Sequence, residues 1–238
     1  MRYKQTVLGI AWAVVRPLLT MLVFTVVFSR IAKLPAPGGV PYPLLVMAAM
    51  LPWQFFATSL SESSNSLIGN AHLISKIYFP RLLVPAGSVI TSFVDFLVTL
   101  ALTALMMLGY GFLPDARVLL LPAFVVLVFF CSFGAGLWLC ALTVEYRDFR
   151  YLVPFIVQVG LYLSPVGFSS GIVPEKWRLI YSLNPMAGII DGFRWCLLGG
   201  QSRLDLASVL MSSCLVVLLC VSGTWYFRKL ERTFADVI

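Results

Sequence analysis

Residues 118–144 carry no charge. As a helix rising 1.5 Å per residue, such a run is about 40 Å long, and the hydrocarbon core of a bilayer is about 30 Å thick. A soluble core can enclose one such helix, but this chain holds several. Of its 238 residues, 60% are hydrophobic and 11% are charged, where globular domains sit near one half and about one quarter. The excess places the chain in a bilayer. Helices keep every backbone hydrogen bond within themselves in lipid, so the expectation is an all-α polytopic membrane protein.

Six transmembrane helices are predicted: 8–29, 42–60, 82–108, 118–144, 151–168 and 206–227. The first is read as a retained span, because Arg16-Pro17 interrupts it and no small-residue cleavage site is clear. Residues 61–81 begin polar and then place Leu67, Ile68, Ala71, Ile74 and Tyr78 at one-faced helical spacing. That pattern predicts an amphipathic helix lying on the membrane surface, ended by Pro80. In 169–205, Pro174 and Glu175 mark a helix start, Asn184-Pro185 a break and Gly199-Gly200 a stop. The two pieces between, 175–183 and 186–198, are about 14 and 20 Å long, too short to cross. Trp177, Tyr181 and Trp195 suit a headgroup boundary. The pair is read as re-entrant, dipping into one face before the last span.

Six spans put both termini on one side. With the termini inside, nine Lys and Arg fall inside: Arg2, Lys4, Lys76, Arg81, Arg147, Arg150, Arg228, Lys229 and Arg232. Seven fall outside: Arg30, Lys33, Arg117, Lys176, Arg178, Arg194 and Arg203. Without the short-helix pair the outer set is three, which favours cytoplasmic termini. The net charge of +7 therefore sits where membrane lipids are, and does not argue for nucleic acid. The five cysteines include no C-x-x-C pair, disulfide framework or zinc spacing.

Catalytic patterns fail on their partners. Gly167-Phe168-Ser169-Ser170-Gly171 matches a nucleophile elbow, but His72 is the chain's one histidine and is predicted on the opposite face. Leu197-Leu198-Gly199-Gly200-Gln201 is close to an ATPase signature without its serine, and no phosphate loop accompanies it. No metal or cofactor set is expected. Arg16 and Asp95 are ionisable groups within spans. They must face protein, water or a partner; they pair with each other, or Arg16 snorkels, or they line a pathway. Ser132 and Gly136, with Gly134 between, allow close helix contact. Tyr151, Phe155, Tyr162 and Phe168 either pack or face lipid, or they line a conduit in which sugar rings slide over flat ring faces.

Four motifs carry a resemblance across the whole chain. They are Arg2-Tyr3-Lys4-Gln5-Thr6-Val7-Leu8-Gly9 with Trp12 and Pro17; Tyr78-Phe79-Pro80-Arg81; Tyr146-Arg147-Asp148-Phe149-Arg150-Tyr151-Leu152-Val153-Pro154; and Asn184-Pro185-Met186. In this order around six spans, the chain resembles the permease subunits of ABC-2-type exporters of polysaccharides and polyol-phosphate polymers. These are the O-antigen, capsule and teichoic-acid exporters.

The resemblance implies a single transmembrane domain over 1–238, no cofactor on this chain, and a homodimer with two copies of a separate ATPase that binds ATP and magnesium. It implies cytoplasmic couplers at Glu62, Asn65, His72, Lys76 and Arg81, and at Glu145, Arg147, Asp148 and Arg150. The conduit or gate residues would be Tyr151, Phe155, Tyr162, Phe168, Trp177, Tyr181 and Trp195, with a lipid-linked glycan passing between the two copies in a bacterial inner membrane. Family members usually carry a longer amphipathic segment before the Arg-Tyr motif, so the start is either trimmed or lacks that helix. The rival readings are an ABC-2 permease for a drug or lipid, and a membrane-embedded enzyme acting on lipid-linked glycans.

Overall fold

A computed structural model describes residues 9–76, 79–199 and 204–231. Arg2 to Leu8, Tyr78, Gly200, Gln201, Arg203 and Arg232 of the motifs above lie outside the described residues. The helices are α1 (Gly9–Phe24, continued by a π-helical stretch Thr25–Ile31), α2 (Tyr42–Gly69), α3 (Ala71–Lys76) and α4 (Leu83–Gly109). Then come α5 (Leu121–Glu145), α6 (Phe149–Leu163), α7 (Glu175–Tyr181), α8 (Pro185–Leu197) and α9 (Leu206–Leu230). Among the described residues, five stretches are long and apolar enough to cross a membrane: Val14–Ile31, Tyr42–Gly69, Leu83–Gly109, Ala116–Glu145 and Leu206–Leu230.

The bundle is built on α2. Its apolar stretch is 72% buried, against 33% or less for the other four. It packs against α4 and α5, and α9 packs on α5. Phe55 of α2 anchors an aromatic cluster, with ring centroids 5.7 and 5.4 Å from Phe93 and Phe96 of α4 and 6.3 Å from Phe129 of α5. Phe193 of α8 joins through Phe96 at 6.2 Å. Such ring pairs add stabilisation beyond the area they bury.

Contacts fix the directions. Phe55 and Ser66 of α2 meet Phe129 and Cys140 of α5 in the same order, so these helices run parallel. Ser63 donates to the Pro85 carbonyl, which makes α4 antiparallel. Cys220 reaches the Phe130 carbonyl and Tyr226 reaches Glu145, so α9 runs with α5. One end of the bundle therefore gathers the C-termini of α2, α5 and α9 with the N-termini of α4 and α6. The other end carries α7 and α8.

Three expectations are corrected. First, 61–69 is not a surface helix; it continues α2 past Glu62. Ser63, Ser64 and Ser66 are buried, not solvated. Ser66 bonds back to the Ser63 carbonyl at 2.7 Å, which satisfies its hydroxyl inside the helix. Small side chains here let α5 come close: a Cβ added to Gly136 would lie 3.0 Å from Ser63 Cβ. A turn at Asn70 then leads into the six-residue α3.

Second, the fifth predicted span stops early. α6 has 15 residues and ends at Leu163, so Phe168 is not on it. Ser164 opens a buried turn whose Gly167 carbonyl accepts from the Tyr42 hydroxyl at 2.7 Å. The turn thereby reaches the first residue of α2. Third, Arg194 is not an outer-loop charge. It is 1% exposed, on α8.

The short helices have nearly the predicted bounds, for local reasons. Asn184 caps α8 by accepting from Met186 N at 3.0 Å, with Pro185 at its first position. Gly199, at φ +62°, takes the left-handed turn that ends α8. Trp195, expected at a headgroup boundary, is half-buried with Arg117 stacked 5.2 Å above its ring.

Candidate coupling face, aromatic face and short-helix cap

The charged end brings both sets of predicted couplers together. Arg150, in the first turn of α6, donates from Nε to Asn65 Oδ1 of α2 at 3.4 Å. Glu145 ends α5 and accepts from the Tyr226 hydroxyl of α9 at 2.9 Å. Arg81 binds Glu231 twice, from its backbone N–H at 3.2 Å and from its guanidinium to the Glu231 carbonyl. Asn65, Arg81, Glu145 and Arg150 are thus engaged inside the fold. Arg147, Asp148 and Lys76 are exposed, and among the described residues their side chains make no hydrogen bond or ion pair. Glu62 and His72 are exposed at the same end. The Arg147-Asp148 turn presents a cation and an anion side by side at this end, where Arg228 and Lys229 of α9 are exposed as well.

The second surface runs along α6. Its inner side is keyed to α2: a Cβ on Gly160 would meet the Trp53 ring at 2.8 Å. Tyr151, Phe155 and Tyr162 are 79%, 61% and 64% exposed. At 100° per residue, Phe155 and Tyr162 lie about 40° and 20° from Tyr151 around the helix. Gln158, also exposed, lies about 20° to the other side. It completes a stripe that the sequence reading left without it, although the seven-residue step from Tyr151 was visible.

The third region is the cap at the opposite end, which carries α7 and α8. Arg194 Nε donates to the Leu45 carbonyl at 3.3 Å, Nη1 to Phe168 at 2.8 Å and Nη2 to Val166 at 3.0 Å. Asp191, one turn earlier on α8, is buried, and that burial raises its pKa to about 6 despite the nearby Arg194 charge. Tyr181 of α7 is pushed up by burial too. Its hydroxyl is buried without a hydrogen bond among the described residues. Asn184 donates to Ser164 Oγ at 2.9 Å, a further tie between the short helices and the turn after α6. Trp177 on α7 stays 53% exposed. Sequence reasoning missed this cap as a unit; the opposite charges three residues apart in an apolar short helix were its visible signal.

Elsewhere, Arg16 is exposed on α1 and Asp95 half-buried on α4, two helices that pack together. Residues 167–171 form a turn leading into a short 3-10 helix, Ser170–Ile172, not a strand-to-helix elbow. Among the described residues no cluster of His, Cys, Asp and Glu could hold a metal.

A sequence model of the ABC-2 type transporter family matches residues 1–198. The chain belongs to that family. An ABC-2 family member of this kind is a multi-pass permease subunit without a nucleotide-binding domain, and it works with an ATPase partner. The chain is 29% identical over 238 residues to a protein named O-antigen export system permease protein RfbA in Klebsiella pneumoniae. It is 27% identical over 240 residues to one of the same name in Myxococcus xanthus. Each comparison covers all of this chain and 90% of the relative. Family membership sets aside the membrane-embedded enzyme.

Proposed function

We propose that this ABC-2 permease exports a lipid-linked polysaccharide of the O-antigen, capsule or teichoic-acid type across a bacterial cytoplasmic membrane. Two copies of the chain enclose the conduit, and two ATPase copies bind the charged end. That end, with both termini, faces the cytoplasm. α6 and the turn after it make the fifth of six crossings, and α7 with α8 form a re-entrant outer gate.

The observation that carries this reading is the stripe on α6. Tyr151 and Tyr162 are eleven residues apart, about 16 Å along the helix, while the hydrocarbon core is about 30 Å thick. With Tyr151 in the first turn of α6 at the charged end, the Tyr162 backbone lies well short of the opposite headgroups. Gln158 stands between them on the same face, where a side-chain amide left to lipid would lose its hydrogen bonds. The stripe needs a neighbour that is flat, partly apolar and rich in hydroxyls. A glycan chain between two facing stripes meets that need, and the names of the full-length relatives point the same way. Charges on Arg147, Asp148 and Lys76 supply a salt-sensitive contact for the ATPase.

The test is complementation. In cells lacking this chain but keeping its ATPase, lipid-linked glycan should accumulate on the inner leaflet, and the wild-type chain should restore it to the surface. Tyr162→Ala and Gln158→Leu should each lower surface glycan several-fold while ATPase co-purification is unchanged. Restored efflux of a drug with no effect on any glycan would sink the reading in favour of a drug permease.

A further inference from the structure

The short-helix cap contains a fully buried positive charge. Arg194 is 1% exposed and Asp191 5% exposed, in a helix otherwise packed by Ile189, Ile190, Phe193 and Cys196. A buried charge is costly, and replacing a buried pair by apolar groups is often neutral or stabilising. Charge balance alone is therefore a poor reason for an arginine here. What an arginine adds is a planar fork with donors pointing in several fixed directions.

All three guanidinium nitrogens donate to main-chain carbonyls. Nη1 and Nη2 hold the carbonyls of Phe168 and Val166, in the turn that ends α6. Nε holds Leu45, in the first turn of α2. Three separate pieces of chain, distant in sequence, meet at one guanidinium. The Tyr42 hydroxyl binds the same turn at Gly167, between the two carbonyls that Arg194 takes. To Arg194 and Tyr42 the turn presents only backbone carbonyls, and turn backbone left without donors in a buried site is unstable.

We propose that Arg194 is a positioning residue that clamps the exit turn of α6 and the start of α2 onto α8. The clamp makes the outer end of the aromatic stripe and the short-helix pair one rigid piece. Asp191 steadies the guanidinium from the preceding turn of α8. The consequence for transport rests on the export reading above: α6 cannot shift its outer end without carrying α8 with it. A lysine would keep the charge but present its donors from a single point, unable to span two elements.

Cys196 supplies an internal reporter, being fully buried two residues beyond Arg194. The experiment compares wild type, Arg194→Lys and the double variant Asp191→Asn/Arg194→Met, each with its ATPase in cells. Labelling uses a membrane-impermeant maleimide, with labelled positions read by peptide mass. The clamp predicts that Arg194→Lys assembles with normal basal ATPase activity. Loss of one or two charge-assisted hydrogen bonds should raise Cys196 labelling about tenfold or more, with a comparable fall in export. If Arg194→Lys fails to assemble, the double variant should assemble with the same exposed Cys196.

Protected Cys196 and wild-type export in either variant overturns the proposal, leaving Arg194 as a counter-charge only. Failure of both variants to assemble also overturns it, since the guanidinium is then a folding requirement. The labelling arm needs no glycan. If wild type exports none while Arg194→Lys unmasks Cys196, the export reading falls and the clamp stands.

Discussion

Gly223 of α9 lies so close to Gly134 of α5 that a Cβ built on it would sit 2.5 Å from the Gly134 carbonyl oxygen. The reverse also holds: a Cβ on Gly134 would fall 2.7 Å from the backbone of Leu219 and Cys220. In lipid, helix association depends on such close backbone approach, because apolar burial gives little preference for protein over tails. Gly223→Ala and Gly134→Ala should each push α9 off α5. The cost expected for overpacking is about 1–3 kcal/mol, read as a lower melting temperature of the detergent-purified protein. The Trp138–Ser222 hydrogen bond, 3.0 Å across the same seam, should loosen with it.

The Arg147-Asp148 turn should be the part of the charged end that the ATPase feels. Reversing either residue should weaken ATPase co-purification a few-fold, in keeping with roughly 0.2–1 kcal/mol for an exposed pair, and raised salt should mimic the change. Tyr226→Phe, which leaves Glu145 without its partner inside the fold, should lower thermal stability more than partner binding. Equal retention of ATPase by both reversals would remove the turn from the contact.

Arg16 and Asp95 sit on helices that touch, α1 and α4. If they pair, Arg16→Asp and Asp95→Arg should each lower the amount of folded protein, and the double swap should restore it. Absence of rescue would assign the two charges to separate surroundings.

Acidity should act through Asp191. Burial raises its pKa to about 6, so the folded chain takes up this proton more readily than the unfolded chain does. Its contribution to stability is therefore greatest below the ordinary carboxylate pKa and is lost as pH rises through about 6. The melting temperature of wild type minus that of Asp191→Asn should fall between about pH 4 and pH 6. A constant difference across that window would show that the carboxyl does not titrate there.

The sequence was most readable where structure is set by near neighbours. Pro174, Asn184-Pro185 and Gly199 punctuate α7 and α8 locally, and the helices begin and end beside them. Runs without charge located the long helices for the same reason. The polar stretch after Leu60 misled because serine is small as well as polar. Only the presence of Gly136 and Cys140 on a helix seventy residues away explains why Ser63 and Ser66 turn inward. Arg194 misled for a related reason: its acceptors are main-chain carbonyls of residues 45, 166 and 168, which no side-chain pattern announces.

Gly160 and Trp53 bear on more than packing. A cylinder in oil is free to roll, and one residue of slip turns a helix by about 100°. With the Trp53 ring lodged where Gly160 has no side chain, α6 has a key in a slot, and rolling would drive Cβ-bearing neighbours into the indole. The rings of Tyr151, Phe155 and Tyr162 then keep one compass bearing, at steps of about 6 and 10 Å along the axis. A polymer exported along this face, as proposed above, would meet fixed sleepers under a track, and its own repeat length would decide how smoothly it travels.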